Sequence, residues 1–281
     1  MDYAIAIMFA IFIWWFSTGA VLYLLRMPPQ TFGVSMLTAT AAAGFGLFGL
    51  WVTSDDTNVA SAFCGFSCAL VVWAWHEMSF LTGYVTGTRV TPCPKNGSEG
   101  QRFLNATQTV IYHEVAILAT ALGIVALTWG QPNQFGTLTF IVLWLARLSA
   151  KLNVYLGVPN LTEEFLPPHL AYLKSYFRNR PMNLLFPFSV TASTVLTWLC
   201  VDHALAPDAS SFTATGWCLV ATLIFLAVVE HWFLVLPLRV AAIWDWKSTD
   251  TREDARITSA ELAGVPSLPC DDHLSQLARR A

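Results

Sequence analysis

Seven long apolar runs dominate this 281-residue chain, at approximately 3–25, 34–52, 59–83, 108–129, 135–156, 183–202 and 214–238. Each is close to the roughly 20 residues that an α-helix needs to cross about 30 Å of hydrocarbon. In lipid the backbone must satisfy its own N–H and C=O groups, which leaves helices and closed barrels. These runs lack the period-two alternation of barrel strands. The expectation is an all-α, polytopic integral membrane bundle of about seven transmembrane helices. Composition points the same way. With 55% hydrophobic and only 12% charged residues, the chain has about half the charge from which soluble domains build their surfaces. The first run has no basic leader and no small-residue cleavage site, so it reads as a span and not as a signal peptide.

The scarce charges carry the orientation. Segments after spans one, three, five and seven hold Arg26; then Arg89, Lys95 and Arg102; then Lys174, Arg178 and Arg180; then Arg239, Lys247, Arg252, Arg256, Arg279 and Arg280. The N-terminus and the other three loops hold no Lys or Arg, and the remaining two, Arg147 and Lys151, lie inside span five. The positive-inside rule then predicts the N-terminus outside and the C-terminus cytoplasmic. Trp51, Trp129, Trp198 and Trp217 fall at outer span ends, and Trp244 and Trp246 follow the inner end of span seven, as amphipathic rings prefer. A formal net charge of −3 gives no basic excess for nucleic acid, so the bilayer is the expected partner.

Residues 1–246 read as the seven-helix transmembrane domain, and 247–281 as a polar, disordered cytoplasmic tail with little apolar periodicity. Ala42, Gly46 and Gly49 allow close helix approach in span two. In the cytoplasmic loop 157–182 a surface helix is expected. Thr162 would cap it, Glu163 and Glu164 suit its first turn, and Leu170, Leu173, Tyr176 and Phe177 form a stripe to lie on the membrane. His169 follows Pro168 at its start and reads as structural. His203 and His273 fall in a loop and the tail and receive no role.

Ionisable residues within a span cost on the order of 2.5–3.5 kcal/mol each at the helix centre, so each calls for a partner or a purpose. Away from the span ends they are His76 and Glu77 in span three; His113 and Glu114 in span four; Arg147 and Lys151, with Asn153, in span five; and Glu230 and His231 in span seven. The predicted orientation puts all of them in the cytoplasmic half. Three chemistries fit that pattern. Arg147 and Lys151, four apart on one helix face, could neutralise two of Glu77, Glu114 and Glu230 in a structural polar cluster that includes Asn153. Alternatively, Glu77, His113, Glu114, Glu230 and His231 could ligate a di-metal centre, although the His-Glu and Glu-His pairs are adjacent and not spaced Glu-x-x-His. Thirdly, His76, His113 or His231 could be the axial ligand of a tetrapyrrole. Cys64 and Cys68, one turn apart in span three, behave as small apolar residues, with a disulfide or soft-metal site as the alternative. Cys93, in Thr91-Pro92-Cys93-Pro94, reads as loop punctuation. Neither a phosphate-binding glycine loop, a nucleophile elbow nor a zinc-protease signature is present.

The order of motifs is distinctive. Trp14-Trp15-Phe16-Ser17-Thr18-Gly19 is followed by Phe80-Leu81-Thr82-Gly83, Pro92-Cys93-Pro94 and Tyr112-His113-Glu114. The run from Ala146-Arg147-Leu148-Ser149-Ala150-Lys151 to Leu156-Gly157-Val158-Pro159-Asn160 comes next. Then come Glu164-Phe165-Leu166-Pro167, Leu185-Phe186-Pro187, Glu230-His231-Trp232 and Leu236-Pro237-Leu238. Over roughly residues 9–246 this resembles the PuhE family of photosynthetic complex assembly proteins from purple phototrophic bacteria. The resemblance implies a multi-pass factor in the bacterial cytoplasmic or intracytoplasmic membrane, needed for accumulation of the reaction centre and core light-harvesting complex. Its implied partners are subunits of those complexes or other assembly factors. It also implies work beside a bacteriochlorophyll-type tetrapyrrole, and it transfers no catalytic residue. A metal-dependent membrane oxidoreductase or hydrolase acting on a lipophilic pigment or quinone-like substrate is the alternative expectation.

Overall fold

The computed structural model describes residues 3–94, 96–161 and 166–236. The expected tail at 247–281, Trp244, Trp246, Lys95, Thr162, Glu163 and Glu164 lie outside the described residues. Among the described residues, seven helices are long and apolar enough to cross a membrane: α1 (Tyr3–Leu25), α2 (Phe32–Thr53), α3 (Val59–Leu81), α4 (Glu99–Leu127), α5 (Phe135–Leu156), α6 (Leu185–Ala204) and α7 (Ser211–Val235). No strand occurs among the described residues.

Helix starts follow local chemistry. Asn58 Oδ1 accepts from the Ser61 N–H (2.8 Å), Ser98 Oγ from Gln101 (3.2 Å) and Ser210 Oγ from Thr213 (3.1 Å). Each bond satisfies one of the four N–H groups that a helix start leaves unpaired. The Ser98 cap accounts for the largest boundary difference. The apolar run starts near 108, but α4 begins at Glu99, because the helix continues through a polar first section that a hydropathy argument does not register.

In the membrane-spanning windows, α7 is 61% buried and α3 50%, whereas α1 and α6 are each 11% buried. Helices α3 and α7 are therefore the interior of the bundle, and the others present broad apolar faces outward. Phe45, Leu37, Trp198 and Phe188 are among the exposed side chains. Hydrophobic burial does little to hold helices together in lipid, so close packing and polar contacts must do more. Gly46 and Gly49 supply close packing as expected. A Cβ at Gly46 would meet the Cys68 carbonyl oxygen at 3.0 Å, and one at Gly49 would lie 2.5 Å from Cys68 Sγ. Trp75 Nε1 adds an α3–α2 hydrogen bond to Thr40 Oγ1 (2.9 Å).

The end of the bundle that carries Arg89, Arg102 and Arg178 is folded and not a set of free loops. Here the expected membrane-lying stripe is corrected. Residues Pro168–Tyr176 form a 3-10 helix, whose three-residue period brings Leu170, Leu173 and Tyr176 onto one line. All three are buried in protein, and Leu170 and Leu173 pack with Phe80. Arg89 Nε donates to Tyr176 Oη (2.7 Å), and Tyr176 Oη donates to the Thr91 carbonyl (3.1 Å). Arg102 donates to the Tyr176 carbonyl and stacks over the Tyr155 ring at 4.4 Å. The chain at Gly87 runs so close to α4 that a Cβ would lie 2.1 Å from the Gln108 carbonyl oxygen. The neighbouring Thr86 carbonyl accepts from the His113 N–H (2.9 Å).

A second correction concerns His203, which belongs to the last turn of α6 and not to a loop. Its ring stacks on Trp217, with centroids 5.0 Å apart.

Candidate functional site

Helix α5 organises the polar interior, because its polar residues fall on two faces. Arg147 and Lys151 are one turn apart, as are Ser149 and Asn153. A two-residue offset turns the second pair about 200° from the first. The first pair meets α3 and α4; the second meets α6 and α7.

On the charged face, Arg147 Nη2 lies 3.0 Å from Glu77 Oε2 and Lys151 Nζ lies 2.7 Å from Glu114 Oε1. Trp144 Nε1 donates to the other Glu114 oxygen (3.3 Å), and Lys151 Nζ sits 5.4 Å from the Phe80 ring centroid. Side-chain exposure is 24% for Lys151 and 18% for Glu114, against 43% for Arg147. Glu77 is 15% exposed, so the two carboxylates are similarly enclosed and the pairs differ in the cation, with Lys151 more enclosed by protein than Arg147. Glu230, on an exposed position of α7, acts electrostatically on Arg147 from farther away.

The second face is neutral. His231 Nδ1 donates to the Ala227 carbonyl (2.8 Å), which leaves Nε2 to accept from Ser149 Oγ at 2.9 Å. Ser149 Oγ also lies 2.9 Å from Ser189 Oγ. Asn153 Nδ2 donates to Ser189 Oγ (3.1 Å) and to the Ser149 carbonyl (3.0 Å). Asn183 closes this seam. Its Nδ2 donates to the Asn153 and Gly157 carbonyls (3.1 and 3.0 Å), and its Oδ1 accepts from the Leu185 and Phe186 N–H groups (2.9 and 3.1 Å). One amide therefore ties the end of α5 to the start of α6.

The third feature is a histidine pair. His76 on α3 and His113 on α4 are 1% and 0% exposed, with ring centroids 6.3 Å apart. His76 Nε2 lies 3.1 Å from Thr120 Oγ1, but His76 Nδ1 and both ring nitrogens of His113 have no hydrogen-bond partner. Phe80 packs 4.7 Å from His113, and Phe140 5.8 Å from His76.

The structure thus sorts the sequence candidates into separate neighbourhoods. Glu77 and Glu114 go to cations, His231 to a neutral seam, and His76 and His113 to each other. Among the described residues no three His, Cys, Asp or Glu side chains converge so as to hold a metal ion. The expected set of Glu77, His113, Glu114, Glu230 and His231 is not gathered, because the carboxylates are drawn to α5 while the imidazoles face other neighbours. As tetrapyrrole ligands the three histidines also differ, since both nitrogens of His231 are already engaged. Cys64 and Cys68 are free thiols with Sγ atoms 3.8 Å apart. Sequence reasoning missed Trp144, Thr120, Ser149, Ser189 and Asn183. Two carried a readable signal: Ser149 is one turn from Asn153, and Asn183 precedes an apolar helical run at capping distance.

No solved structure matches the chain. It is 36% identical over 258 residues to a protein from Rhodobacter capsulatus described as an uncharacterized 30.4 kDa protein in the puhA 5′ region, covering 90% of this chain and 94% of that one. The family model described as protein of unknown function DUF3623 matches residues 1–255, and this chain belongs to that family.

Proposed function

We propose that this protein is a membrane-embedded assembly factor for the photosynthetic reaction centre and its core light-harvesting complex. The observation that carries this reading is the relative named for its place in the puhA 5′ region, 36% identical along almost the whole chain. That position agrees with the photosynthetic role implied by the PuhE resemblance. Supporting it physically, α1 and α6 are mostly unburied along their spans. They leave apolar surface for lipid or for helices of other membrane proteins. The partners on this reading are reaction-centre or core light-harvesting subunits, or other assembly factors. The location is the bacterial cytoplasmic or intracytoplasmic membrane.

The orientation belongs to the same proposal, with the N-terminus outside and the basic end of the bundle cytoplasmic. A reporter placed after Ala281 should report the cytoplasm and one in the loop near Asp55 the outside; matching signals would refute the seven-span count, and the reverse pair would refute the orientation. For the role itself, the test is deletion of the gene in a purple phototroph, with complementation in trans. Membrane absorbance and immunoblots of reaction-centre subunits are expected to fall together and recover on complementation. Normal accumulation of both complexes in the deletion strain would overturn the assignment.

A further inference from the structure

The most unusual local feature is the histidine pair, because three buried ring nitrogens go unpartnered in a region where an orphaned polar group is expensive. The two rings do not satisfy each other. A direct N–H···N bond of about 2.9 Å, with each nitrogen about 1.1 Å from its ring centre, would hold the centroids within about 5.1 Å, and they are 6.3 Å apart. That separation leaves room for one atom between facing nitrogens. Two metal–nitrogen bonds of about 2.0 Å in line would extend that limit to about 6.2 Å, close to the observed separation.

We propose that His76 and His113 form a two-coordinate site for a single cuprous ion, clipping α3 to α4. Three observations select that ion. Only two donors are available, both imidazole, which suits copper and not the oxygen-seeking Mg²⁺ or Ca²⁺. The walls are aromatic, with Phe80, Phe140 and Trp73 packed around the rings, so a bridging water would lack the further polar partners it needs. Glu77 and Glu114 are committed to Arg147 and Lys151 and do not complete a tetrahedral zinc shell. Thr120 prepares the site: with His76 Nε2–H donating to Thr120 Oγ1 (3.1 Å), Nδ1 keeps its lone pair for the metal. Binding joins two neutral imidazole lone pairs to the ion, with no proton released and no change of oxidation state.

The test uses the full chain carrying Cys64→Ser and Cys68→Ser, to remove the thiol pair farther along α3 as a soft-metal competitor. It is produced in copper-supplemented cells and purified in detergent under reducing, anaerobic conditions. One copper per chain is expected, with a copper-edge X-ray absorption spectrum of two-coordinate Cu(I) bound by nitrogen alone. His113→Leu should lower the retained copper by at least about tenfold, while His231→Gln keeps it. The proposal is overturned by a folded parent protein without copper, by zinc in its place, or by copper retained unchanged in His113→Leu. Because the parent protein decides the first two outcomes, a misfolded variant does not protect the idea.

Discussion

Across one face of α5, Arg147 and Lys151 meet carboxylates of α3 and α4, while across the other, Ser149 and Asn153 meet neutral partners on α6 and α7. Both faces join helices through polar contacts in a low-dielectric setting, but they fail differently when cut. Removing one ion from the charged face strands its partner as an uncompensated charge. Removing one member of the neutral seam leaves a dipole without a hydrogen bond, a smaller penalty. The lesson is that helix-to-helix glue on one span can be divided into a brittle side and a tolerant one.

Breaking the ion pair with the more enclosed cation should have the largest effect. Lys151→Met, which leaves Glu114 alone, is expected to destabilise the protein by about 3–5 kcal/mol in detergent unfolding, and adding Glu114→Leu should restore most of that loss. If the double variant is no more stable than the single, the two are not partners. Next comes Asn183→Ala, which removes hydrogen bonds at two helix ends; unfolding should show a loss of about 2 kcal/mol. His231→Phe on the neutral seam is expected to cost about 1–2 kcal/mol, with Ser149→Ala adding less on top than it costs alone because both changes remove the Ser149–His231 bond. An equal loss for His231→Phe and Lys151→Met would erase the distinction between the faces. The smallest effect belongs to the exposed pair at the basic end, where Arg178 Nη2 lies 2.5 Å from Glu99 Oε1 and Glu99 is 75% exposed. Arg178→Gln should leave the unfolding midpoint unchanged at high salt, since water and ions screen such pairs.

Much of the frame was legible before any coordinates, and for identifiable reasons. A helix in lipid must be long and apolar, so each predicted span corresponds to an observed helix. The α4 start shows the limit, because Ser98 and Glu99 extend the helix past the apolar stretch where hydropathy alone stops. The site was legible as a set of residues and not as a set of pairs. Periodicity put Arg147 and Lys151 on one face, but which of Glu77, Glu114 and Glu230 each would meet depends on how α3, α4 and α7 pack around α5. The stripe at Leu170, Leu173 and Tyr176 was visible too, and its destination was not. A 3-10 period presents it to Phe80 in the protein instead of to lipid.

By itself, then, the sequence determined which segments form helices long and apolar enough to cross a membrane and the handful of polar residues that the interior must accommodate, because the cost of placing charge in hydrocarbon leaves few arrangements. Only the tertiary structure decided which polar groups meet. It gave Glu77 and Glu114 to cations and His231 to a serine, and it enclosed His76 and His113 among aromatic rings with nitrogens unpaired. Those choices depend on distances of a few ångströms between helices far apart in the chain, which no local pattern encodes.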